Sequence, residues 1–509
     1  MRSRVLVWTA ALLAPGAEAA TFHVDPAGPF STIQAAIDTA ASGDTLILAA
    51  ATYAENPLIV REDLCIRAGP GAEAIIDGAP GADVRNAGNT LRTVSSFVRL
   101  EDIVLRNGTA RVGAGVMIFG GRVEMRRCRL ENNRFGALSV GTGVPGVIDL
   151  QDCEVVGNGI GVEGRRLTRL VRSRFADNLL AVRTAGQVEF VDLEVVGNGA
   201  PAAGDAGALV LGNSFGRLER VVVRDNWSNI SSGGIWMSLG PFELRDCEVE
   251  NNQSEVGVAG IGIDLVPECT LVRCTVRGNR TTGPHLGVAG LLVHRSSVRA
   301  TDCRFEHNDS IDSGGGVSVQ LHSNLELARS TVLGNVSSGK GGGVFVSRSS
   351  VRLDEVVVAG NVAPAGGGVA AENAATLEIR ACTLAANEAQ VGGGLFLLGG
   401  PVLVERSILA FHPETAAVFC QADATFECVD VFGNADDSLC GVELGGILSV
   451  DPAFCALDPA AGQFDLRLSS ASPVADAPGG CGRLGALPLG CEATSVKSIT
   501  WSGLKTVYR

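Results

Sequence analysis

Lysine, tyrosine and tryptophan are scarce in this 509-residue chain. It has three lysines, Lys340, Lys497 and Lys505, so arginine carries nearly all of the positive charge. It has two tyrosines and four tryptophans. Grooves that process sugars usually contain such amphipathic rings, which combine an apolar body with a polar tip. Their scarcity counts against a saccharide-processing groove.

The chain also lacks an excess of positive charge and long apolar runs. Its formal net charge is −14 at pH 7. This argues against nucleic acid and anionic membrane surfaces as partners, because both would repel the protein. No stretch after the first residues reaches the length of a membrane span without interruption, so we expect no transmembrane segment in the mature chain.

Residues 1–19 are typical of a secretory signal peptide. Arg2 and Arg4 form a charged start, an apolar stretch follows, and Ala17 and Ala19 provide the small residues of a cleavage site. We therefore expect an exported protein that is secreted or held at a bacterial cell surface.

A repeat that ends in asparagine organises most of the chain. Apolar or small residues stand eight, five and three positions before the asparagine, and a glycine-rich passage often follows it. Neighbouring copies are about 20 to 29 residues apart, a period typical of solenoids. The marker asparagines are Asn133, Asn158, Asn178, Asn198, Asn226, Asn252, Asn279, Asn308, Asn335, Asn361 and Asn387.

The spacing within each repeat indicates short strands. Residues five and three positions before the marker lie on one face of a strand, and the repeat is too short to hold helices as well. We therefore predict coils that stack into parallel sheets around an apolar interior. We expect each asparagine at a turn, where it tolerates left-handed backbone and bonds to the asparagines of neighbouring coils. This role is structural.

Six positions before the marker, the charge alternates in sign from coil to coil. Stacked strands are about 4.8 Å apart, so each charge would have an opposite neighbour on both sides. Such pairing makes these carboxylates poor catalytic acids or calcium ligands. The predicted charge ladder is Arg127, Asp152, Arg172, Asp192, Arg220, Asp246, Arg273, Asp302, Arg329 and Glu355.

The repeat resembles the right-handed parallel β-helix of pectin-lyase-like proteins. Its G-G-G-V elements at 314–317 and 341–344 and its F-x-x-N element at 305–308 are similar to repeats of chlamydial polymorphic outer-membrane proteins. The resemblance implies an all-β, right-handed parallel β-helix solenoid. It implies less about activity, because such folds host lyases, hydrolases, esterases, adhesins and inert scaffolds.

The chain divides into five predicted segments. Residues 1–19 are the signal peptide, 20–60 an N-terminal cap, 61–412 the parallel β-helix coils, 413–491 cysteine-rich C-terminal coils and cap, and 492–509 a tail. A helix from Ser31 to Ala41, begun by a capping box of Ser31 and Gln34, is predicted within the N-terminal cap. It would cover the apolar end of the solenoid. The tail is either a docking or sorting segment or a disordered end.

Two groups of cysteines differ in their setting. In an exported protein, the cysteines after residue 412 are expected to form disulfides. Zinc binding is the alternative, although the C-x-x-C spacing typical of zinc sites does not occur. Six cysteines allow fifteen pairings, and the sequence does not choose among them. The disulfide candidates are Cys420, Cys428, Cys440, Cys455, Cys481 and Cys491. The cysteines at inward repeat positions predict small buried thiols: Cys128, Cys153, Cys247, Cys274, Cys303 and Cys382.

One concentration of titratable residues lies near the middle of the repeat, where four of the six histidines fall between residues 285 and 322. The candidate catalytic residues are His307, Asp309 and Asp312, because imidazole beside carboxylate can transfer protons or bind a metal. The alternative is solvated turn residues. Their spacing matches no metal motif, so we expect no metal and no cofactor.

Two classes of function remain. The first is a secreted or cell-surface β-helix with a non-catalytic role in adhesion, binding or an envelope scaffold. Its partner would be an extracellular polysaccharide or a cell-surface component. The second is a polysaccharide lyase or glycoside hydrolase with a non-standard site, since the signatures of known β-helix enzymes are absent.

Overall fold

The structure is a computed structural model that describes residues 19–78, 88–143, 145–200, 207–230, 232–283 and 287–492. Nearly all of the predicted signal peptide lies outside the described residues, as do His285 and all but the first residue of the predicted tail.

Three parallel sheets run along a solenoid, and successive coils add strands to them. Alternation of apolar and polar residues turns one face of each strand inward. In Gly146–Gln151, Ile148 and Leu150 are buried, while Asp149 and Gln151 face outward. The interior is therefore a continuous apolar core.

Most strands lie within only one of the three sheets. Sheet one contains Thr21–Val24, Thr45–Leu48, Leu64–Ala68, Gly146–Gln151, Leu167–Val171, Phe242–Arg245, Cys269–Val272, Ser297–Thr301, Asn324–Ala328, Ser350–Asp354, Thr376–Arg380 and Val442–Gly445. Sheet two contains Ala51–Tyr53, Ala74–Asp77, Ile103–Arg106, Arg129–Glu131, Glu154–Val156, Arg174–Ala176, Glu194–Val196, Val222–Arg224, Glu248–Glu250, Thr275–Arg277, Arg304–Glu306, Thr331–Leu333, Val357–Ala359 and Thr383–Ala385. Sheet three contains Leu58–Val60, Leu138–Val140, Ile160–Gly164, Ile235–Ser238, Ile261–Asp264, Leu291–His294, Val317–Gln320, Val344–Ser347, Val369–Glu372, Leu395–Leu398 and Val418–Cys420.

Other strands join sheets or lie outside them. Long strands that bend from one sheet into the next are Leu91–Glu101, Val116–Arg126, Leu180–Val191, Gly207–Glu219, Pro401–Ala410 and Asp423–Phe432. Two small sheets in the turns contain Trp227–Ser228, Gln253–Ser254, Arg280–Thr281, Asp309–Ser310 and Val336–Ser337, and Gly257–Val258 and Gly287–Val288. A C-terminal sheet contains Phe454–Asp458, Gln463–Ser469 and Leu489–Cys491, with a 3-10 helix at Pro459–Ala461.

The register of the coils follows the repeat phase. Phe305 pairs with Val276 of the preceding coil and with Val332 of the following coil. All three side chains are completely buried. The core positions predicted from the repeat are thus confirmed.

The N-terminal helix is shorter than predicted, because it spans Ile33–Ile37 rather than Ser31 to Ala41. Thr32, not Ser31, is its N-cap and accepts a hydrogen bond from the Ala35 N–H. The first N–H groups of the helix, those of Ile33 and Gln34, donate instead to the Glu55 carboxylate. The Glu55 carboxylate, which is distant in the sequence, therefore takes the place of the predicted capping box. That this segment covers the apolar end of the solenoid stays a prediction.

The C-terminal segment returns along the outside of sheet two. Val357, Ala385 and Ile408, which face outward from this sheet, are buried in one cluster with Phe454 and Leu484. Backbone contacts hold the segment there, since the Ala486 N–H donates to the Thr383 hydroxyl and the Gly485 N–H to the Arg406 carbonyl. This segment therefore covers a side of the solenoid.

Candidate functional site on the charged outer faces

The predicted charge ladder lies at the corner between sheets one and two. All ten of its residues have positive φ, between 45° and 57°, a region that side-chain-bearing residues seldom adopt. This backbone turns the chain from one sheet to the next, and the charged side chains are half-exposed on its outer side. We call this set, preceded by Asp102, the corner ladder.

Each arginine of the corner ladder that has an aspartate in the preceding coil grips it with two hydrogen bonds. Arg172 contacts Asp152 through Nε and Nη2 at 2.7 and 2.9 Å. Arg127 binds Asp102 in the same way, which extends the ladder one coil beyond the prediction. The equivalent pairs are Arg220–Asp192, Arg273–Asp246 and Arg329–Asp302.

The pairing affects the ionisation of the aspartates. Hydrogen bonds from Arg172 hold the pKa of Asp152 below its usual value, and Arg127 in the other neighbouring coil adds a smaller electrostatic effect. Arg220 lowers the pKa of Asp192 in the same way. These carboxylates are anions that are already bound, so they are unsuited to proton transfer near neutral pH.

Two further columns of charged side chains flank the corner ladder, one on sheet one and one on sheet two. Only the column on sheet two alternates in sign, because Glu124 and Asp149 are neighbouring acids on sheet one and both bind Arg122. On sheet one, ion pairs connect neighbouring coils, such as Arg169 with Asp149 at 3.1 Å and Arg217 with Glu189 at 2.9 Å. On sheet two, Arg174 contacts both Glu154 at 3.3 Å and Glu194 at 3.2 Å. The sheet-one column is Arg99, Glu124, Asp149, Arg169, Glu189 and Arg217, and the sheet-two column is Arg129, Glu154, Arg174 and Glu194.

The corner ladder and the sheet-two column line a concavity on the outer surface. Its volume is about 600 Å³, and its walls combine the corner ladder from Arg127 to Asp192 with the sheet-two column. A smaller concavity of about 220 Å³ lies against the sheet-one column. The sheet-two column was not predicted. Its signal in the sequence is the charge of alternating sign four positions before the marker asparagines.

The marker asparagines form one continuous hydrogen-bonded line. In each step, the backbone N–H and the side-chain Nδ2 of one asparagine donate to Oδ1 of the next, as from Asn252 to Asn279 at 3.0 Å. Contrary to expectation, the asparagines themselves do not have left-handed backbone. The residue before each of them does, for example Asn251 with a φ of 53°, because the turn begins one position earlier.

The asparagine line continues through a histidine that the sequence analysis did not assign. The Asn387 N–H donates to His412 Nδ1 at 3.1 Å, and the His412 N–H donates to Asn434 Oδ1 at 2.9 Å. His412 is completely buried, and burial lowers the pKa of its imidazole to about 3. The ring is neutral, and since Nδ1 accepts a hydrogen bond, Nε2 carries the proton.

The structure does not join His307, Asp309 and Asp312 into one arrangement. His307 is an exposed turn residue with a φ of 53°. Asp309 pairs with Arg280 at 3.1 Å, and the Asp312 carboxylate accepts from the Ser313 N–H. No hydrogen bond or ion pair between any two of the three occurs in the described part of the chain.

A different histidine in the same region has a carboxylate partner. His294 Nδ1 lies 2.7 Å from Asp264 Oδ1, and Arg295 binds the same carboxylate at 2.9 Å. His294 follows Asp264 by 30 residues and pairs with it in register across two coils of sheet three. His294 is one of the four histidines between residues 285 and 322, but its pairing with Asp264 depends on the register of this sheet and was not predicted from the sequence.

Three disulfides connect the six cysteines after residue 412. The pairs are Cys420–Cys440, Cys428–Cys481 and Cys455–Cys491. The prediction that these cysteines form disulfides is confirmed, and the structure now selects one pairing. The six repeat cysteines are free thiols that are at most 3% exposed.

Asp430 differs from the ion-paired carboxylates because it is buried and its pKa is raised. Asp430 is completely buried, and its Oδ1 accepts a hydrogen bond from the Val450 N–H. Burial raises its pKa to about 7. In the described ranges, no cluster of three or more histidine, cysteine, aspartate or glutamate side chains is placed to hold a metal ion.

Comparisons with known proteins agree with this architecture. Residues 243–407 match the family model of the right handed beta helix region. Together with the three parallel sheets, this match defines the chain as an all-β, right-handed parallel β-helix and confirms the predicted fold class. The disulfides and the fold are compatible with an extracellular protein. Within the described residues, no helix is long and apolar enough to cross a membrane.

One solved structure also matches over most of the chain. The chain is similar to the crystal structure of pectate lyase Pel9A, with 11% identity and a TM-score of 0.24, over 92% of this chain and 96% of that chain. A TM-score this low carries no argument about fold or activity. No curated protein sequence matches the chain significantly. The resemblance to chlamydial polymorphic outer-membrane proteins stays a prediction.

Proposed function

We propose that the chain is a secreted or cell-surface β-helix protein with a non-catalytic role in adhesion, binding or an envelope scaffold. The observation that carries this proposal is the pairing of the carboxylates that line the 600 Å³ concavity. Arginine partners hold the pKa values of Asp152 and Asp192 low. General acids and bases work best with pKa values near the operating pH, so this surface favours binding over catalysis.

The charge of the protein narrows the class of partner. The walls of the concavity contain four arginines and four acidic residues, so neither sign is in excess there. The whole chain carries a net charge of −14, which disfavours polyanions at long range. We propose an extracellular polysaccharide or a cell-surface component as the partner, and no nucleic acid.

A second candidate is a polysaccharide lyase or glycoside hydrolase with a non-standard site. The contact between His294 and Asp264 favours it, because a carboxylate that orients Nδ1 leaves Nε2 available for proton transfer. Against it, Arg295 binds the same carboxylate and neutralises its charge.

An activity assay on the mature protein tests the proposal. We expect no turnover of pectate, alginate or polygalacturonate, measured by absorbance of unsaturated products and by new reducing ends. Turnover that is lost in His294→Ala, His307→Ala, Asp309→Ala or Asp312→Ala would refute the non-catalytic role. His322→Ala is the matched control, because His322 is an exposed turn histidine.

A further inference from the structure

The last coils of the solenoid contain acids without counter-charges. Between Arg406 and Arg467 the sequence has ten Asp or Glu residues and no Lys or Arg. Asp465 binds Arg467, but none of the other nine acids forms an ion pair in the described part of the chain. The preceding coils differ, because arginine binds their ladder carboxylates, as Arg172 binds Asp152. This end of the solenoid therefore has a local excess of negative charge.

An open sheet edge lies at the same end. Val442–Gly445 is the last strand of sheet one, and among the described residues it pairs only with Asp423–Phe432. Its other edge therefore presents backbone N–H and C=O groups to which a further strand can bond. Val442 is 58% exposed and Leu444 is 62% exposed, so apolar surface accompanies the open edge.

Acids flank this apolar surface. Val442 pairs with Thr425, whose neighbours on the outer face of its strand are Asp423 and Glu427. Both carboxylates are exposed. A segment that adds to this edge gains most if it alternates apolar and polar residues and carries positive charge without acids. The edge and its charge together define the chemistry of the segment that fits it.

The chain contains a segment of this chemistry in residues 493–509, which lie outside the described residues. They include no Asp or Glu, and their charged residues are Lys497, Lys505 and Arg509. From 497 to 502 the sequence is K-S-I-T-W-S, so Lys497, Ile499 and Trp501 alternate with small hydroxyl residues. A period of two with β-branched and aromatic residues is typical of a strand.

The C-terminal segment passes beside the open strand. Gly446 follows that strand directly, and a Cβ added there would overlap with Cys481 Sγ. Cys481 is bonded to Cys428 of the solenoid, and a further disulfide fixes Cys491. The six residues after Cys491 can span about 20 Å. A short linker of this kind keeps the segment that follows it at an effective concentration in the millimolar range.

We propose that residues 497–502 dock as an added strand on the open edge of Val442–Gly445 within the same chain. Ile499 and Trp501 then cover the exposed apolar side chains of that strand, while Lys497 meets the unpaired acids. The added strand occupies an edge that otherwise invites pairing between chains. The inference goes beyond the proposed function, because it assigns a docking role to the tail whether or not the protein is catalytic.

Hydrogen exchange of the full mature chain tests this docking. In the double variant Ile499→Ser/Trp501→Ser, we expect the amides of Val442–Gly445 to exchange at least about tenfold faster than in the unchanged protein, because they are protected only while the added strand is bound. Lys497→Glu should have a smaller effect in the same direction. High salt should also speed exchange in the unchanged protein, since it screens the charges.

Two matched controls separate docking from general effects of substitution. Leu504→Ser removes an apolar residue beyond the alternating run, and Glu268→Lys reverses an exposed acid on a distant coil. We expect neither to change exchange at 442–445, whereas Glu427→Lys, which reverses an acid at the proposed site, should speed it. Equal exchange in the unchanged protein and in the double variant, or equal effects of Glu427→Lys and Glu268→Lys, would overturn the proposal.

Protein concentration distinguishes docking within one chain from docking on a second copy. We expect exchange at 442–445 to be independent of protein concentration, because the segment and its site are tethered to each other. Protection that rises with concentration, together with a dimer of the unchanged protein in light scattering, would place the tail on a second copy and overturn docking within the chain.

Discussion

Replacement of one marker asparagine by alanine tests the stacked register directly, and Asn252 is the best position because asparagines flank it on both sides. Its Oδ1 accepts from the backbone N–H and Nδ2 of Asn226 at 3.0 and 2.9 Å. Its Nδ2 donates to the Val223 carbonyl at 2.9 Å and to Asn279 Oδ1 at 3.0 Å. The residue is completely buried, so alanine removes four hydrogen bonds in a place that bulk water does not reach.

The expected loss of stability follows from the partners left behind. The backbone N–H of Asn226 loses its acceptor, and a buried unpaired donor costs about 1 to 3 kcal/mol. The other hydrogen bonds add about 1 kcal/mol in net terms, because their partners keep further bonds. We therefore expect Asn252→Ala to lower the free energy of unfolding by about 2 to 4 kcal/mol.

The measurement must resolve position along the solenoid, because each coil contacts mainly its neighbours. Hydrogen exchange of peptides should show faster exchange around Asn226 and Asn252, with distant coils unchanged, and urea unfolding gives the global loss. Gln253→Ala is the matched control, since this neighbouring side chain is exposed. Unchanged exchange at Asn226, with a loss of stability no larger than that of the control, would refute the hydrogen-bonded line.

Three further predictions concern the core, the cysteines and pH. Phe305→Ala should cost about 3 to 5 kcal/mol by leaving a cavity, and a loss in urea unfolding below about 1 kcal/mol would contradict this. Non-reducing mass mapping should find Cys420–Cys440, Cys428–Cys481 and Cys455–Cys491 and free repeat cysteines; free thiols after residue 412 would contradict it. His412, with its pKa lowered to about 3, makes the protein less stable as pH falls below about 6.5, where the unfolded chain gains a proton. Asp430, with its pKa raised to about 7, acts oppositely, since the unfolded chain loses this proton above about pH 4. Between pH 4 and 6.5, Asp430→Asn should therefore gain stability as pH rises relative to His412→Asn; parallel profiles of the two variants would contradict this.

The repeat phase was sufficient to predict the register of the core. Positions three before the marker, such as Val276, Phe305 and Val332, pair in successive coils as the spacing requires. A period of two along each strand and a coil length of 20 to 29 residues leave few alternatives to stacked parallel strands. Local chemistry and global fold agree here, which is why sequence reasoning succeeds.

Contacts that depend on strand register and on the paths of the turns could not be predicted from the sequence. His294 and Asp264 are 30 residues apart, so their contact follows only when the register of sheet three is known. The three candidate residues near His307 were close in the sequence, but a strand with alternating faces and a left-handed turn direct their side chains to different partners. Proximity along the chain is a poor guide to proximity in a solenoid.

The outward positions of sheet two divide the solenoid into an open part and a covered part. From Arg129 to Glu306 these positions are mostly charged or polar, whereas Val357, Ala385 and Ile408 are apolar and buried beneath the C-terminal segment. Apolar side chains on an outer face need a cover to exclude water, and the disulfide between Cys428 and Cys481 ties that cover to the coils. A partner that binds sheet two therefore has access only to the charged coils, because the C-terminal segment covers the apolar coils that follow them.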